Sequence, residues 1–170
     1  MDSTTLREMQ APLKDKYRSD PEAAVITLKA RGDLAEGAIA CKVETGRALV
    51  EAGLHPATGG SGLEACSGDM LLEALVACAG VTLKAVATAI DFKLRGGSVS
   101  AEGDLDFRGT LGVDRTAPVG FRVIRLHFTL DTDEPEEKRQ NLLRLTERYC
   151  VVLQTLRNAP PTAADLAVRS

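Results

Sequence analysis

The densest apolar block in the chain runs from Met70 to Ile90, MLLEALVACAGVTLKAVATAI, and Glu73 and Lys84 are its only charges. Its length and composition predict a helix. A membrane span needs roughly 18 or more successive apolar residues, and the two charges leave only residues 74–83 between them, so a buried central helix is expected. Glu73 and Lys84 stand close to three helical turns apart and share a narrow stripe with the small residues Ala77 and Gly80.

The segments around this block have strand patterning. Ala23–Ala30, Gly37–Val43 (with Ile39, Cys41 and Val43 alternating) and Arg47–Val50 are separated by Arg31-Gly32-Asp33 and Thr45-Gly46, which predicts an antiparallel meander. Ser98–Phe107 and Arg122–Asp131 alternate with period 2 and predict a second antiparallel ribbon joined through Thr110–Gly120. Asp133-Glu134-Pro135-Glu136-Glu137 then opens a second long helix with an acidic first turn. Its positions Leu142, Leu145, Tyr149, Val152 and Leu156 keep helical spacing as far as Asn158-Ala159-Pro160-Pro161. Residues 4–18 read as a short peripheral helix that holds Pro12 and stops at Asp20-Pro21, and His55 to Gly68, rich in glycine, reads as a loop. The tail Thr162–Ser170 offers one further edge strand. The fold class expected is α+β: two antiparallel β-sheets packed around two long helices, in one domain spanning residues 1–170.

Composition narrows the partners. The 170 residues are 44% hydrophobic, enough for one real core. With 21 basic against 24 acidic residues, a net charge of −3 and no basic run, neither nucleic acid nor an anionic membrane is an expected partner. The first ten residues lack the basic and apolar regions of a secretory signal, so a cytoplasmic location with reduced thiols is expected. Cysteines 41, 66, 78 and 150 show no C-x-x-C spacing, and His55 and His127 stand apart from other ligands. No metal or bound cofactor is therefore expected, and a Cys–His hydrolase is disfavoured. Cys41 reads as core, Cys66 as a passive loop thiol or a third redox partner, His55 as a loop residue and His127 as the solvent face of a strand. Glu73 and Lys84 read as a pair across an interface or, as the second alternative, as contacts to the polar end of a ligand.

A cysteine in an apolar helix is ordinarily a small packing residue, and for Cys78 or Cys150 alone that is the simpler reading. Their context sets them apart. GGSGLEACSGDMLLEALVACAGVTL resembles the Gly-Gly loop and first cysteine helix of the OsmC/Ohr family, the osmotically inducible and organic-hydroperoxide-resistance proteins. ERYCVVLQTL resembles that family's second cysteine helix, at a matching separation. The organisation agrees over about Glu22 to Pro160, and the extra N-terminal helix is nearer to a less characterised OsmC-like branch.

The resemblance implies an antioxidant oxidoreductase that reduces organic hydroperoxides. Cys78 would be the peroxidatic thiol, Cys150 would capture its sulfenic acid as a disulfide, and an external lipoyl-type dithiol would restore the pair. It also implies an intertwined homodimer, with the site at the subunit interface. A disulfide requires Cα atoms within about 7 Å, so the two helices are expected to cross at these residues. Burial raises a thiol's pKa, and Cys78 lies too deep in its own helix for that helix's N-terminus to help, so a cation is required. Family members place an arginine after their first strand, and Arg31 is the positional match, against its plain reading as a solvated turn residue. Two positions depart from the family. Ser67-Gly68-Asp69 replaces its helix-leading glutamate, with Asp69 read as an N-cap, and Val151 stands where a proline commonly follows the second cysteine. Two rival readings stay open: a protein that binds a small apolar ligand without turnover, and a redox sensor.

Overall fold

The computed structural model describes residues 3–34, 41–43, 53–63, 65–166 and 168, and within these not the side chains of 3–7, 9, 28–34 and 41–43. Its axis is helix α2 (Ser67–Ala89), which buries Leu72, Leu75, Val76, Ala79, Gly80, Leu83 and Ala87. Each fully buried leucine here contributes on the order of 2–3 kcal/mol over an exposed one. By length and apolar content alone α2 would pass for a membrane span, but this buried face is packed against sheet and helices as in a protein core. The helix begins ahead of the expected Met70. Cys66 therefore holds the N-cap position and Asp69 sits in the first turn, where a carboxylate meets the positive end of the helix.

The loop before α2 is tightly folded, and its glycines are required. His55 caps a 3₁₀ turn at Pro56–Thr58, its Nδ1 accepting the Ala57 N–H at 3.0 Å, while its ring stacks on Phe107 at 5.0 Å. Gly59 closes the turn at φ 92°, and a Cβ on Gly60 would fall 1.6 Å from the Leu54 carbonyl oxygen. Only glycine allows that approach.

Strands β1 (Val25–Leu34), β2 (Cys41–Val43), β3 (Gly96–Asp106) and β4 (Phe121–Asp131) form one antiparallel sheet in the order β2-β1-β3-β4. The sequence pattern divides these strands between two sheets, and the described residues form only this one. Period-2 alternation states which residues share a face but not which strands are neighbours, and β1 pairs with β3 from Val25↔Asp106 to Asp33↔Ser98. That pairing also carries Arg31-Gly32-Asp33 through as strand where a turn was expected. Val99 and Ala101 are fully buried against α2, with Leu126 and Phe128 of β4 packed beside them. On the opposite face Arg125 grips the Asp104 carboxylate at 2.8 and 2.9 Å, and Thr27 donates to it at 2.7 Å. Arg47–Val50 lies outside the described residues, and residues 162–166 form no strand.

The expected second long helix is two helices, α4 (Glu136–Tyr149) and α5 (Val151–Arg157), after the short α3 (Phe107–Thr110). Cys150 is the break, with φ −71° and ψ 106°, an extended conformation that stops α4 and starts α5. Both helices pack on α2. The N-terminal helix α1 (Ser3–Ser19) accommodates Pro12 and is less peripheral than its composition suggests. Its Tyr17 is buried with Ala24, Phe107 and Leu111, and donates its hydroxyl to the Ala57 carbonyl at 2.8 Å. Ile26 and Leu105 touch both this cluster and the α2 core.

Candidate functional site

Cys78 lies midway along α2, half-buried, and Cys150 is completely buried at the α4–α5 break in the same hydrophobic cluster. Both are free thiols. The break aims the start of α5 at the Cys78 sulfur. Burial by itself would push the Cys78 thiol up, but hydrogen bonds outweigh it and hold the thiol below its ordinary value. The donors are the Val152 N–H, the Cys150 S–H, the Thr82 hydroxyl and the Val151 N–H. Burial pushes the Cys150 thiol up to about 11, partly offset by the Leu153 N–H, and the neighbouring Cys78 adds to the rise. The first proton to leave this pair is therefore the one on Cys78, and Cys150 keeps its own and donates it.

This is the geometry a thiol–thiolate couple needs. Arg31 lies in β1 opposite Ser100, and its side chain is outside the described residues. Burial is the largest single influence on Cys78, and the groups that together outweigh it are two amides, a sulfhydryl and a hydroxyl. The sequence expectation concerns only the N-terminus of the helix that carries Cys78; the first N–H groups of α5 approach from outside it. Thr82, Val151 and Val152 were absent from the sequence-derived site. Thr82 was legible as the residue one turn beyond Cys78. The amides were not, because no periodicity marks the break, although Val151 in place of a proline stands at that point.

On its open side Cys78 belongs to an unburied stripe of α2 that includes Leu71 (37% exposed), Ala74 and Val81 (39% exposed). A groove of about 910 Å³ between β4 and α4–α5 has an apolar floor of Leu126, Phe128, Leu153 and Leu156 and a charged rim at Arg139 and Glu147. A smaller cavity of about 230 Å³ is lined by His55, Cys66, Asp69 and Glu73. Burial pushes the Asp69 carboxyl up there, with His55 pulling the other way. Cys78 lines neither of these. Cys41 lies in β2 with its side chain outside the described residues, and His127 is exposed on β4 as expected. Glu73 and Lys84, half-buried along α2, stand some three turns apart, too far to pair within one helix. Among the described residues no group of three or more His, Cys, Asp or Glu is placed to hold a metal ion.

The sequence model of the OsmC-like protein family matches residues 60–165, which include α2, both redox-candidate cysteines and most of the sheet. Among solved structures, the fold is similar to that of an OsmC-like hydroperoxide resistance protein from Jannaschia sp. CCS1. The TM-score is 0.61 at 17% identity, over 85% of this chain and 95% of that one. A comparison with curated protein sequences gives no match.

Proposed function

The chain belongs to the OsmC-like protein family, and from that premise we propose that it is a thiol-dependent peroxidase for organic hydroperoxides, working through Cys78 and Cys150. The observation that carries this reading is the asymmetric sulfur pair, an acidified Cys78 accepting the S–H of a buried, proton-retaining Cys150. The Cys78 thiolate attacks the terminal oxygen of R–O–O–H. An S–O bond forms, the O–O bond breaks with its electron pair leaving on RO⁻, and RO⁻ takes a proton to become the alcohol. Cys150 then attacks the sulfenic sulfur; its proton and the hydroxide released leave as water, and the disulfide remains. An external dithiol of the lipoyl class reduces the disulfide by exchange and is oxidised in turn.

The apolar stripe around Cys78 supplies one wall for an alkyl chain. In this reading the opposite wall belongs to a second copy of the chain packed along α2 as a homodimer, since Leu71, Ala74 and Val81 otherwise face water. In this reading Arg31 adds positive charge to a couple already acidified by hydrogen bonds. The location in this reading is the cytoplasm, where thiol pairs are kept reduced between turnovers.

The experiment is a thiol count before and after one equivalent of cumene hydroperoxide, followed by a turnover assay with dihydrolipoamide. Loss of two thiols with steady consumption of peroxide is expected, and Cys78→Ser abolishes both. Peroxide consumption that survives Cys78→Ser ends the proposal. Thiol loss without turnover identifies a sensor, and no thiol loss a binding protein.

A further inference from the structure

A helix that ran on through residue 150 would close the Glu147 carbonyl with the N–H of Val151. Here the ladder stops at the bond from the Cys150 N–H to the Thr146 carbonyl, 2.9 Å, and resumes with the Gln154 N–H on the Cys150 carbonyl, also 2.9 Å. The Glu147 carbonyl, at the edge of that gap, is not left open. The side-chain amide of Gln154 reaches back seven residues and donates to it at 2.8 Å, in the place the Val151 N–H would take. The Glu147 carboxylate is held from α5 as well, by Arg157 Nη2 at 3.0 Å and Nη1 at 3.4 Å. Two residues of α5 thus grip one residue of α4, at its main chain and its side chain, across Cys150.

We propose that Gln154 is a positioning residue for Cys150: by occupying the Glu147 carbonyl it keeps α4 and α5 from joining into one helix and holds Cys150 in its extended conformation at the break. The proposal deepens the peroxidase reading and takes from it that Cys78 and Cys150 are the reacting pair. Without the Gln154 donor, the Glu147 carbonyl and the Val151 N–H become each other's nearest remedy, because a partly buried backbone group is costly to leave unpaired. Their bond would carry ψ at Cys150 from 106° toward the helical value of about −42°. It would also draw the start of α5 away from Cys78. The ion pair between Arg157 and Glu147 is 49% and 40% exposed on its two sides, and such pairs contribute little. The main-chain bond from Gln154 is therefore the one that decides.

The test uses the full chain and takes two readings that need neither peroxide nor reductant. One is the set of carbon chemical shifts of Cys150, which separates extended from helical backbone; the other is the rate at which iodoacetamide alkylates Cys78 at neutral pH. Gln154→Met keeps the length and loses the donor, and Gln154→Leu is a second uncharged loss. Gln154 is only half-buried, so both are expected to fold. In both, the Cys150 shifts are expected to move to helical values and Cys78 alkylation to slow roughly fivefold, the worth of about one net hydrogen bond. Val151→Pro supplies the discriminating arm. Proline there has no N–H to give to the Glu147 carbonyl, so the break cannot close whatever stands at 154. Added to Val151→Pro, Gln154→Met is expected to change neither reading, whereas a merely stabilising Gln154 would cost the same in both backgrounds. Cys150 shifts that stay extended in Gln154→Met and Gln154→Leu overturn the proposal, and so does a change of equal size on top of Val151→Pro. A chain that responds as expected but consumes no hydroperoxide refutes the peroxidase reading alone, and a working peroxidase whose Cys150 shifts do not respond refutes the role of Gln154 alone.

Discussion

Two hydrogen-bonded thiols cannot lose their protons independently, and the surroundings of Cys78 and Cys150 fix the order in which they do. The consequence for stability has a definite sign. Cys150 is raised in the folded state, so its contribution is complete below the unfolded thiol pKa of about 8.5 and is lost as pH climbs toward about 11. Cys78 is lowered, so its contribution is already complete over that window. A fall in Tm between about pH 8.5 and 11 is therefore expected, and Cys150→Ser should flatten it in a thermal melt series, since a serine does not titrate there. At this scale the sequence was informative about identity and silent about environment. The two thiols are singled out by their order and context along the chain, whereas the acidity of Cys78 depends in part on Cys150, Val151 and Val152, 72 to 74 residues away, which only folding brings near.

The element that makes the difference is the α4–α5 break. Apolar spacing at Leu142, Leu145, Tyr149, Val152 and Leu156 fits one continuous helix because a one-residue interruption barely disturbs the phase. In a continuous helix the Val151 and Val152 amides would be bonded to carbonyls four residues back; in the first turn of a new helix they have no such partners and are free for the sulfur. Val151→Pro tests this directly. Proline is accepted at the first position of a helix, and the extended ψ of 106° at Cys150 suits the residue before a proline. The variant is expected to fold with an unchanged far-UV spectrum, to lose one donor to Cys78, and to move the Cys78 alkylation midpoint upward. An unmoved midpoint would show that the Val152 amide suffices. The sheet taught a related lesson: alternation in Ser98–Phe107 and Arg122–Asp131 identified strands and faces correctly, while the union of β1 with β3 rests on long-range backbone pairing that leaves no trace in local patterning.

For the molecule as a whole, the central helix was legible because 23 residues with so few charges need cover on almost every side. Among the described residues that cover is incomplete, and the gap lies along the stripe that holds Cys78. Val81→Glu, placed at the 39% exposed edge of this stripe and away from the buried face, is expected to leave the fold intact. In light scattering at micromolar concentration it should give half the mass of the parent; equal masses would remove the homodimer from the proposed function. The Val151 side chain is 70% exposed, yet two of the four donors to Cys78 belong to the main chain at 151 and 152. Any exchange short of proline leaves them in place. That part of the centre's acidity is set by the path of the backbone, and a survey that seeks reactive sites through charged side chains would pass over it.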